Sequence, residues 1–473
     1  CKTSAKDMWQ EIQSAANDYY QPGRFTTFIG YEYSPTLNQS GMLHRNVIFR
    51  GTQVPDTAFS ALDGFAEDLL RWLEKNCQGE CQAMAIPHNP NWSWGLMYGE
   101  LNSDATPLTR ENLLLRAKYE SLVELFQVKG NSECALGLGG NDEECGFENL
   151  WPVCSAEQAQ IDPALGQHAP RCVSLNDTFR QVLKKGLQDQ QKWGFNPFKL
   201  GFIGATDNHN GMLGDTEEDT WKGHGGEPDS TPGFRLGYES NMVADTLGFS
   251  LLKLNPGGLA GVWAPENTRE AIFDAMQRKE TFATSGTRVK VRLFAGFGLP
   301  ANLHERPDAL QVAYAQGVPM GGDLPAAVDD QSPVFLVQAM RDVHSAPLQK
   351  IQIVKGWLAD GQTREQVYDV VCSDGLQPDT VTHRCPDNGA RVNLADCSIS
   401  ADKGAAELAA TWTDPQFSPQ QSAFYYARVL ENPVCRWSQY DALALGKPHP
   451  AGESPTVRER AWSSPVWYNS PGI

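Results

Sequence analysis

Short apolar runs alternate with amphipathic stretches from residue 1 to about residue 287. The apolar runs are FTTFIGYEY (25–33), MLHRNVIFR (42–50), QAMAIPH (82–88), SLVELFQVKG (121–130) and KLGFIGATD (199–207). Before, between and after them lie helix candidates at 5–20, 62–76, 176–192 and 267–279. Such alternation is typical of an α/β fold built around parallel strands. We therefore expect residues 1–287 to form one α/β domain.

The pattern changes after residue 288, where strand-like runs dominate. They include VKVRLFAGF (289–297), PVFLVQAMR (333–341), LQKIQIVKGWL (348–358) and AFYYARVLE (423–431), separated by Gly, Pro and Asp turns. Several strands with turn residues between them predict a β-rich second domain over 288–473, sandwich-like and packed on the first.

Eleven cysteines occur, and several form close pairs in polar loops. The pairs are Cys77 with Cys81, Cys134 with Cys145, Cys154 with Cys172, and Cys372 with Cys385. Loop cysteines without a histidine or carboxylate cluster indicate disulfides, so we expect a periplasmic or secreted protein with at least two disulfides within 77–172. The alternative is a cytosolic enzyme with reduced thiols. Cys1 would be an interior residue of a longer chain or, alternatively, a lipidated first residue.

Two segments have the character of long loops. Residues 130–172 are Gly- and Cys-containing and weakly periodic, which predicts an insertion held by disulfides. Residues 210–235 carry Gly, Asp, Glu and Pro without apolar periodicity. Loops of this length in a compact domain often serve as binding loops or lids.

The charge balance excludes some partners. Lys and Arg number 39 against 57 Asp and Glu, a formal net charge of -18. This acidity, without a Lys/Arg stripe, disfavours binding to nucleic acid or to anionic lipid. No apolar run reaches the length of a membrane span. A small anionic substrate would therefore have to be held by local cations or metals.

Metal-ligating residue types follow three of the apolar runs. Glu32 ends the first run, His88 ends AMAIPH, and GFIGATDNH ends in Asp207 and His209. Ligands gather at the carboxyl ends of strands in a β/α barrel, so these side chains should converge on one site. Taken singly, a strand-end histidine is more often structural, and the convergence is what indicates a metal centre.

Other polar residues are assigned with alternatives. His44 lies near the start of its run, where it is either a ligand or a hydrogen-bonded strand-edge histidine. Lys129, after SLVELFQV, is either a catalytic cation that orients a phosphate or a solvent-facing lysine. His224 is either a substrate contact or an exposed bystander, and Asn89 is placed with the substrate-binding residues. The remaining histidines are taken as surface or structural: 168, 304, 344, 383 and 449.

The segments GYE (30–32), LHRN (43–46), IPHNPN (86–91), QVKGNSE (127–133), ATDNHNG (205–211), GDTEEDTWKGHGG (214–226), QIVKGW (352–357) and ERAWSSPVWY (459–468) carry a resemblance. The chain resembles a large bacterial family related to the polymerase and histidinol phosphatase (PHP) superfamily of metal-dependent phosphoesterases. The resemblance implies a distorted (β/α)7 barrel with two or three metal ions. It implies that Glu32 bridges metals, that His44 and His88 bind one of them, and that Asp207 and His209 bind its neighbours.

The sequence departs from the PHP pattern in one respect. PHP proteins open with a His-x-His strand, and here no histidine precedes His44. We expect an upstream segment with His-x-His to complete the site and the barrel.

The resulting hypothesis is a metal-dependent hydrolase, a phosphoesterase whose nucleophile is a metal-bound hydroxide. Histidine and carboxylate ligands suit Zn, Mn or Fe without selecting among them. Two alternatives remain open. The same chemistry serves a non-phosphate ester or an amide, and a barrel without its first ligands could be a non-catalytic component of a larger assembly.

Overall fold

The computed structural model describes residues 2–37, 41–140, 142–158, 170–226, 229–239, 248–327 and 331–471. Within these ranges eight α-helices occur, none of them long and apolar enough to cross a membrane. They are α1 (Lys2–Asp18), α2 (Ala66–Asn76), α3 (Arg110–Tyr119), α4 (Phe179–Trp193), α5 (Pro232–Arg235), α6 (Arg269–Gln277), α7 (Ala309–Gln316) and α8 (Trp437–Leu445).

The four helices expected from the sequence are confirmed as α1, α2, α4 and α6, with ends shifted by a few residues. Helix α3 was not expected, because its apolar residues lack a clear helical period. Its start is fixed locally: Thr109 accepts a 3.2 Å hydrogen bond from the amide of Asn112, and Asn112 accepts a 2.9 Å bond from the amide of Thr109. Such reciprocal capping satisfies two amides that a helix start otherwise leaves unpaired.

The first sheet contains the strands β1 (Gly30–Tyr33), β4 (Arg45–Phe49) and β5 (Ala83–Pro87), in the order β1-β4-β5. Both pairings are antiparallel. Between β1 and β4 in the chain lie two strands of two residues each, β2 (Thr36–Leu37) and β3 (Gly41–Met42), which pair with each other. A parallel crossover needs a dozen or more residues, usually with a helix, so the short link from β1 to β4 favours an antiparallel return.

The second sheet contains β6 (Leu122–Gln127), β7 (Gly130–Asn131) and β8 (Gly201–Gly204), in the order β7-β6-β8. Strands β6 and β8 are parallel, and α4 lies in the connection between them. This is the one place in the first 287 residues where the described strands pair in the expected parallel βαβ arrangement.

The described strands that follow form two larger sheets and two sheets of two strands each. The eight-stranded sheet contains β9 (Leu259–Val262), β10 (Thr281–Thr284), β13 (Asp323–Leu324), β15 (Leu348–Ala359), β16 (Gln362–Cys372), β20 (Ala423–Glu431), β23 (Arg460–Ser463) and β24 (Val466–Tyr468). The four-stranded sheet contains β11 (Lys290–Gly296), β12 (Val318–Pro319), β14 (Val334–Met340) and β19 (Glu407–Thr413). The two-stranded sheets are β17 (Val392–Asn393) with β18 (Ser398–Ile399), and β21 (Val434–Cys435) with β22 (Thr456–Val457).

The expected PHP-like (β/α)7 barrel is wrong. The described strands form separate sheets, and no closed barrel is found among them. Short apolar runs identify strands but do not fix their direction, and β4 runs antiparallel to both of its neighbours. A barrel of parallel strands therefore cannot be assembled from β1, β4 and β5.

The eight-stranded and four-stranded sheets share one hydrophobic core. Side chains of β11 and β14, such as Leu293 and Phe335, pack in the same cluster as Ile353 of β15 and Tyr425 of β20. Strands β9 and β10, which precede residue 287, pair into the larger sheet. The sheet thus joins residues from both sides of the expected domain boundary, and the division at 287 stays a prediction.

A buried charged network ties the 130–172 segment to the C-terminal sheet. The Glu133 carboxylate lies 2.5 Å from Arg180 Nη2 and 3.1 Å from Arg428 Nη1. It also accepts hydrogen bonds of 2.6 Å from the Tyr426 hydroxyl and 2.7 Å from Trp462 Nε1. Removing one partner from such a buried network leaves an uncompensated charge, which typically costs about 3–5 kcal/mol.

The described residues contain five disulfides. Four are the predicted pairs, Cys77–Cys81, Cys134–Cys145, Cys154–Cys172 and Cys372–Cys385, which confirms the expectation of at least two within 77–172. The fifth, Cys397–Cys435, spans 38 residues and was not expected. These disulfides are compatible with an extracellular or secreted protein. Residues 159–169 of the predicted insertion, with His168, lie outside the described ranges.

Candidate metal centre

Three predicted ligands meet at one edge of the first sheet. Oε1 of Glu32 lies 2.8 Å from Nδ1 of His44 and 3.3 Å from Nε2 of His88. Since β4 is antiparallel to β1 and β5, its beginning lies beside their ends. His44 therefore reaches the site because it precedes its strand, which is the feature that made it a weak candidate in a parallel arrangement.

Asp207 and Lys129 come from the second sheet. Strands β6 and β8 are parallel, so the residues that follow their carboxyl ends are neighbours. Nζ of Lys129 forms an ion pair with Oδ2 of Asp207, and Lys129 is buried rather than solvent-facing. Asp207 has a φ of 54°, in the left-handed region where a non-glycine residue is held at a cost. Such backbone conformations concentrate at functional sites.

Gln127 was missed by the sequence interpretation. Its Nε2 donates a 2.8 Å hydrogen bond to Oδ2 of Asp207 and a second, shorter one to Oδ1 of Asn89. Its Oε1 accepts a 2.6 Å bond from the amide of Lys129. Gln127 ends β6 two residues before Lys129, and that strand-end position was the signal available in the sequence.

Asn89 has a structural position rather than one on the cavity. It is buried, has a φ of 60°, and begins the short 3₁₀ helix Pro90–Trp92 directly after His88. It does not line the cavity described below. Its predicted contact with substrate stays a prediction that this placement does not favour.

His209 and His224 lie together at the open side of the cluster. Their ring centroids are 4.6 Å apart, and the amide of His209 donates a 2.9 Å bond to the carbonyl of His224. Burial lowers the pKa of His224 to about 3, with Lys129 acting in the same direction, so its ring is neutral at ordinary pH. The backbone next to His224 is held by Asp229, which accepts a 2.9 Å hydrogen bond from the amide of Gly225.

Two groups of potential metal ligands share Glu32. One contains Glu32, His44 and His88, and the other contains Glu32, Asp207 and His209. In each group the ligand atoms lie within 4.8 Å of one another. The structure thus brings all five predicted metal ligands together, with Glu32 in the central position that the PHP resemblance implied for a bridging carboxylate. A third cluster, Cys134 with Asp142 and Cys145, uses cysteines that are joined in a disulfide.

The electrostatics of the cluster favour a cation. Burial alone would raise the pKa of Glu32, but hydrogen bonds from His44 and His88 outweigh it and hold that pKa far below its ordinary value. Burial opposes protonation of His88, yet its hydrogen bond to Glu32 and the charges of Glu124 and Asp207 raise its pKa. The same negative field attracts a divalent ion.

Burial raises the pKa of Glu124 to about 7. Glu124 belongs to the buried strand β6, where its Oε1 has no hydrogen-bond partner among the described residues. It was not singled out in the sequence because an apolar run surrounds it.

A cavity of about 250 Å³ adjoins the cluster. It is lined by both polar and apolar residues, which are Glu32, Met42, His44, Trp92, Lys129, Asp207, His209, His224, Gly225, Asp229, Phe249, Leu251 and Leu254. Its volume lies just below the range of about 300–1,000 Å³ typical of small-molecule sites.

The fold and this site define a strand-rich protein of several separate sheets, with a histidine–carboxylate cluster beside a small cavity. The family model DUF3604, a protein family of unknown function, matches residues 1–470, and the chain belongs to that family. Neither the curated proteins nor the solved structures gave a significant match. The relationship to the PHP superfamily stays a prediction.

Proposed function

We propose that this protein is a metal-dependent hydrolase of small anionic esters, with phosphate monoesters as the favoured class. The observation that carries the proposal is the pair of ligand groups sharing Glu32 at the edge of a small-molecule cavity. Five side chains from four separate segments converge there. Histidines with unrelated structural roles would have no reason to meet in one place.

The available donors fit a divalent metal. His44 and His88 each direct one ring nitrogen at Glu32, while the other, Nε2 of His44 and Nδ1 of His88, is buried without a hydrogen-bond partner among the described residues. Neutral imidazole and carboxylate suit Zn, Mn or Fe. Glu32, His44 and His88 would hold one ion, and Asp207 with His209 would hold a second, Glu32 being shared.

When bound, divalent ions supply activation of water and neutralisation of charge on the leaving oxygen. The chain itself supplies positioning. Lys129 is the one Lys or Arg among the residues that line the cavity, and its ammonium beside Asp207 can hold an oxyanion of the substrate. Gln127 orients Asp207 by donating a hydrogen bond to its Oδ2.

The disulfides favour an oxidising compartment, and we propose the periplasm or the extracellular space. Five disulfides distributed from Cys77 to Cys435 would not persist among cytosolic thiol reductants.

The test is elemental analysis of purified protein together with hydrolysis of three benzyl esters, the phosphate, the sulfate and the acetate. We expect bound divalent metal and preferential hydrolysis of the phosphate. Asp207→Asn and His209→Ala should each lower metal affinity at least about tenfold and remove most hydrolysis while the fold is retained. Asp360→Asn is the matched control for the first, because Asp360 also has a left-handed backbone, with φ 52°, in a remote hairpin.

Wild-type metal content and activity in Asp207→Asn would reject the site. Metal bound without hydrolysis of any of the three esters would favour a non-catalytic role, and preference for the sulfate or acetate would transfer the hydrolase to that ester class.

A further inference from the structure

The cavity beside the metal-ligand cluster has an apolar lining as well as polar groups. The side chains of Met42, Trp92, Phe249, Leu251 and Leu254 form it, and all five pack in one hydrophobic cluster. A site for a purely polar substrate, such as a sugar phosphate, would be expected to present hydrogen-bonding groups on both sides. Here five of the lining side chains are apolar and lie together in one cluster.

The apolar lining includes two aromatic rings, those of Trp92 and Phe249, which form an aromatic wall. The Trp92 ring meets the Phe249 ring edge to face, with centroids 5.4 Å apart, and Trp151 packs against both at 5.5 and 5.6 Å. Edge-to-face packing of this kind fixes ring orientation and leaves an aromatic surface for a further ring. Trp92 ends the 3₁₀ helix that follows His88, so the aromatic wall and a metal ligand are placed by the same strand end.

The wall is anchored at both ends. Trp151 belongs to the 130–172 segment, which the disulfides Cys134–Cys145 and Cys154–Cys172 hold. On the other side, the carbonyl of Leu254 accepts hydrogen bonds from Trp437 Nε1 at 2.8 Å and from Arg436 Nη2 at 2.6 Å. A wall fixed in this way is a preformed binding surface rather than a flexible loop.

From this arrangement we infer that the substrate is an ester of a flat, apolar alcohol, with its anionic group at the Glu32 cluster and its aryl group against Phe249 and Trp92. The inference rests on the proposed function and specifies its substrate class. The cavity of about 250 Å³ has room for an oxyanion and a ring, but not for a nucleic acid or a protein segment.

The test compares two non-hydrolysable probes, phenylphosphonate and methylphosphonate, by calorimetric binding to the metal-loaded protein. Burying one ring against the wall should make phenylphosphonate bind roughly 10- to 100-fold more tightly. Phe249→Ala should reduce that preference to less than about threefold while leaving the affinity for methylphosphonate unchanged. Phe195→Ala is the control, because Phe195 is another partly buried phenylalanine and does not line the cavity.

Equal affinity for the two probes, binding of neither, or an equal loss of both affinities in Phe249→Ala would overturn the inference. Hydrolysis is measured separately, with benzyl phosphate and methyl phosphate, whose leaving alcohols have similar acidity. Selective binding without hydrolysis would overturn the proposed activity but not the inferred preference for an aryl group. Equal hydrolysis of both esters together with equal binding would overturn that preference but not the proposed activity.

Discussion

Nε2 of Gln127 donates a 2.8 Å hydrogen bond to Oδ2 of Asp207, which joins the ends of the two parallel strands of the second sheet. The same amide also reaches Asn89, which directly follows His88. Gln127 therefore spans the end of the first sheet and the end of the second. Both of its partners have left-handed backbone conformations, which a fixed neighbour helps to maintain.

We predict that Gln127→Leu lowers metal affinity about 10- to 100-fold without removing any ligand, because hydrogen-bond partners orient metal ligands and tune their basicity. The measurement is titration of metal-free protein with Zn²⁺ or Mn²⁺. Gln352→Leu is the control, since Gln352 is also buried and donates a 2.7 Å bond to Asp369, far from the cluster. Unchanged metal affinity in Gln127→Leu would show that Asp207 is positioned without it.

We predict that Lys129→Met weakens methylphosphonate binding and lowers kcat/KM for benzyl phosphate by roughly 10²-fold, because it removes the cation available to the substrate oxyanion. Metal affinity should not fall, since the ammonium and a metal ion compete for Asp207. The control is Lys355→Met, which removes another buried ion pair, 2.6 Å from Asp414. Loss of metal together with activity in Lys129→Met would indicate a structural role for the lysine.

The strand-end pattern was sufficient to select side chains that come together, although the assumed geometry was wrong. Glu32, His88 and Asp207 were chosen because each follows an apolar run, and a strand end places a polar residue at a sheet edge whichever way its neighbours run. His44 depends on direction, and only the antiparallel pairing explains its position. Gln127 also ends its strand, but its role could not be derived from the sequence, because it depends on two partners distant in sequence.

The failure of the barrel prediction has the same origin. Local periodicity identified β1, β4, β5, β6 and β8, but strand direction is decided by non-local pairing. The disulfides between close cysteines were predictable because short loops bring the sulfurs together. Cys397–Cys435 was not, since the cysteines lie at two separate two-stranded sheets that meet only in the folded chain.

We predict that the Cys397→Ser/Cys435→Ser double variant loses more stability than the Cys77→Ser/Cys81→Ser variant. The first disulfide closes a separation of 38 residues and the second only 4. Loop-closure entropy then gives a loss of about 4 kcal/mol for the first and about 2 kcal/mol for the second. Urea unfolding under non-reducing conditions measures the difference. An equal loss in both variants would mean that local packing, rather than loop length, determines the effect.

We predict that the free energy of unfolding falls as the pH rises from 6.5 to 8.5, because two buried carboxyls of the C-terminal sheet hold protons in the folded state. Burial raises the pKa of Glu431 to about 7 and that of Glu459 to about 8. An unfolded glutamate titrates near pH 4.3 and has released its proton throughout this window. The folded state therefore binds more protons, and stability declines by up to about 1.4 kcal/mol per pH unit for each extra proton. Above about pH 8 the decline should level off as Glu459 ionises.

Glu459→Gln provides the sharpest test of this pH dependence, because a glutamine replaces the protonated carboxyl with a neutral group of the same shape beside Ser285. Thermal or urea unfolding across the window should show a shallower slope than in the native chain and a higher stability at pH 8.5. The exposed carboxylate of Glu407 serves as the control, and Glu407→Gln should leave the slope unchanged. If Glu459→Gln followed the native slope, the proton would have to be held elsewhere, and burial of Glu459 would not be the cause of the decline.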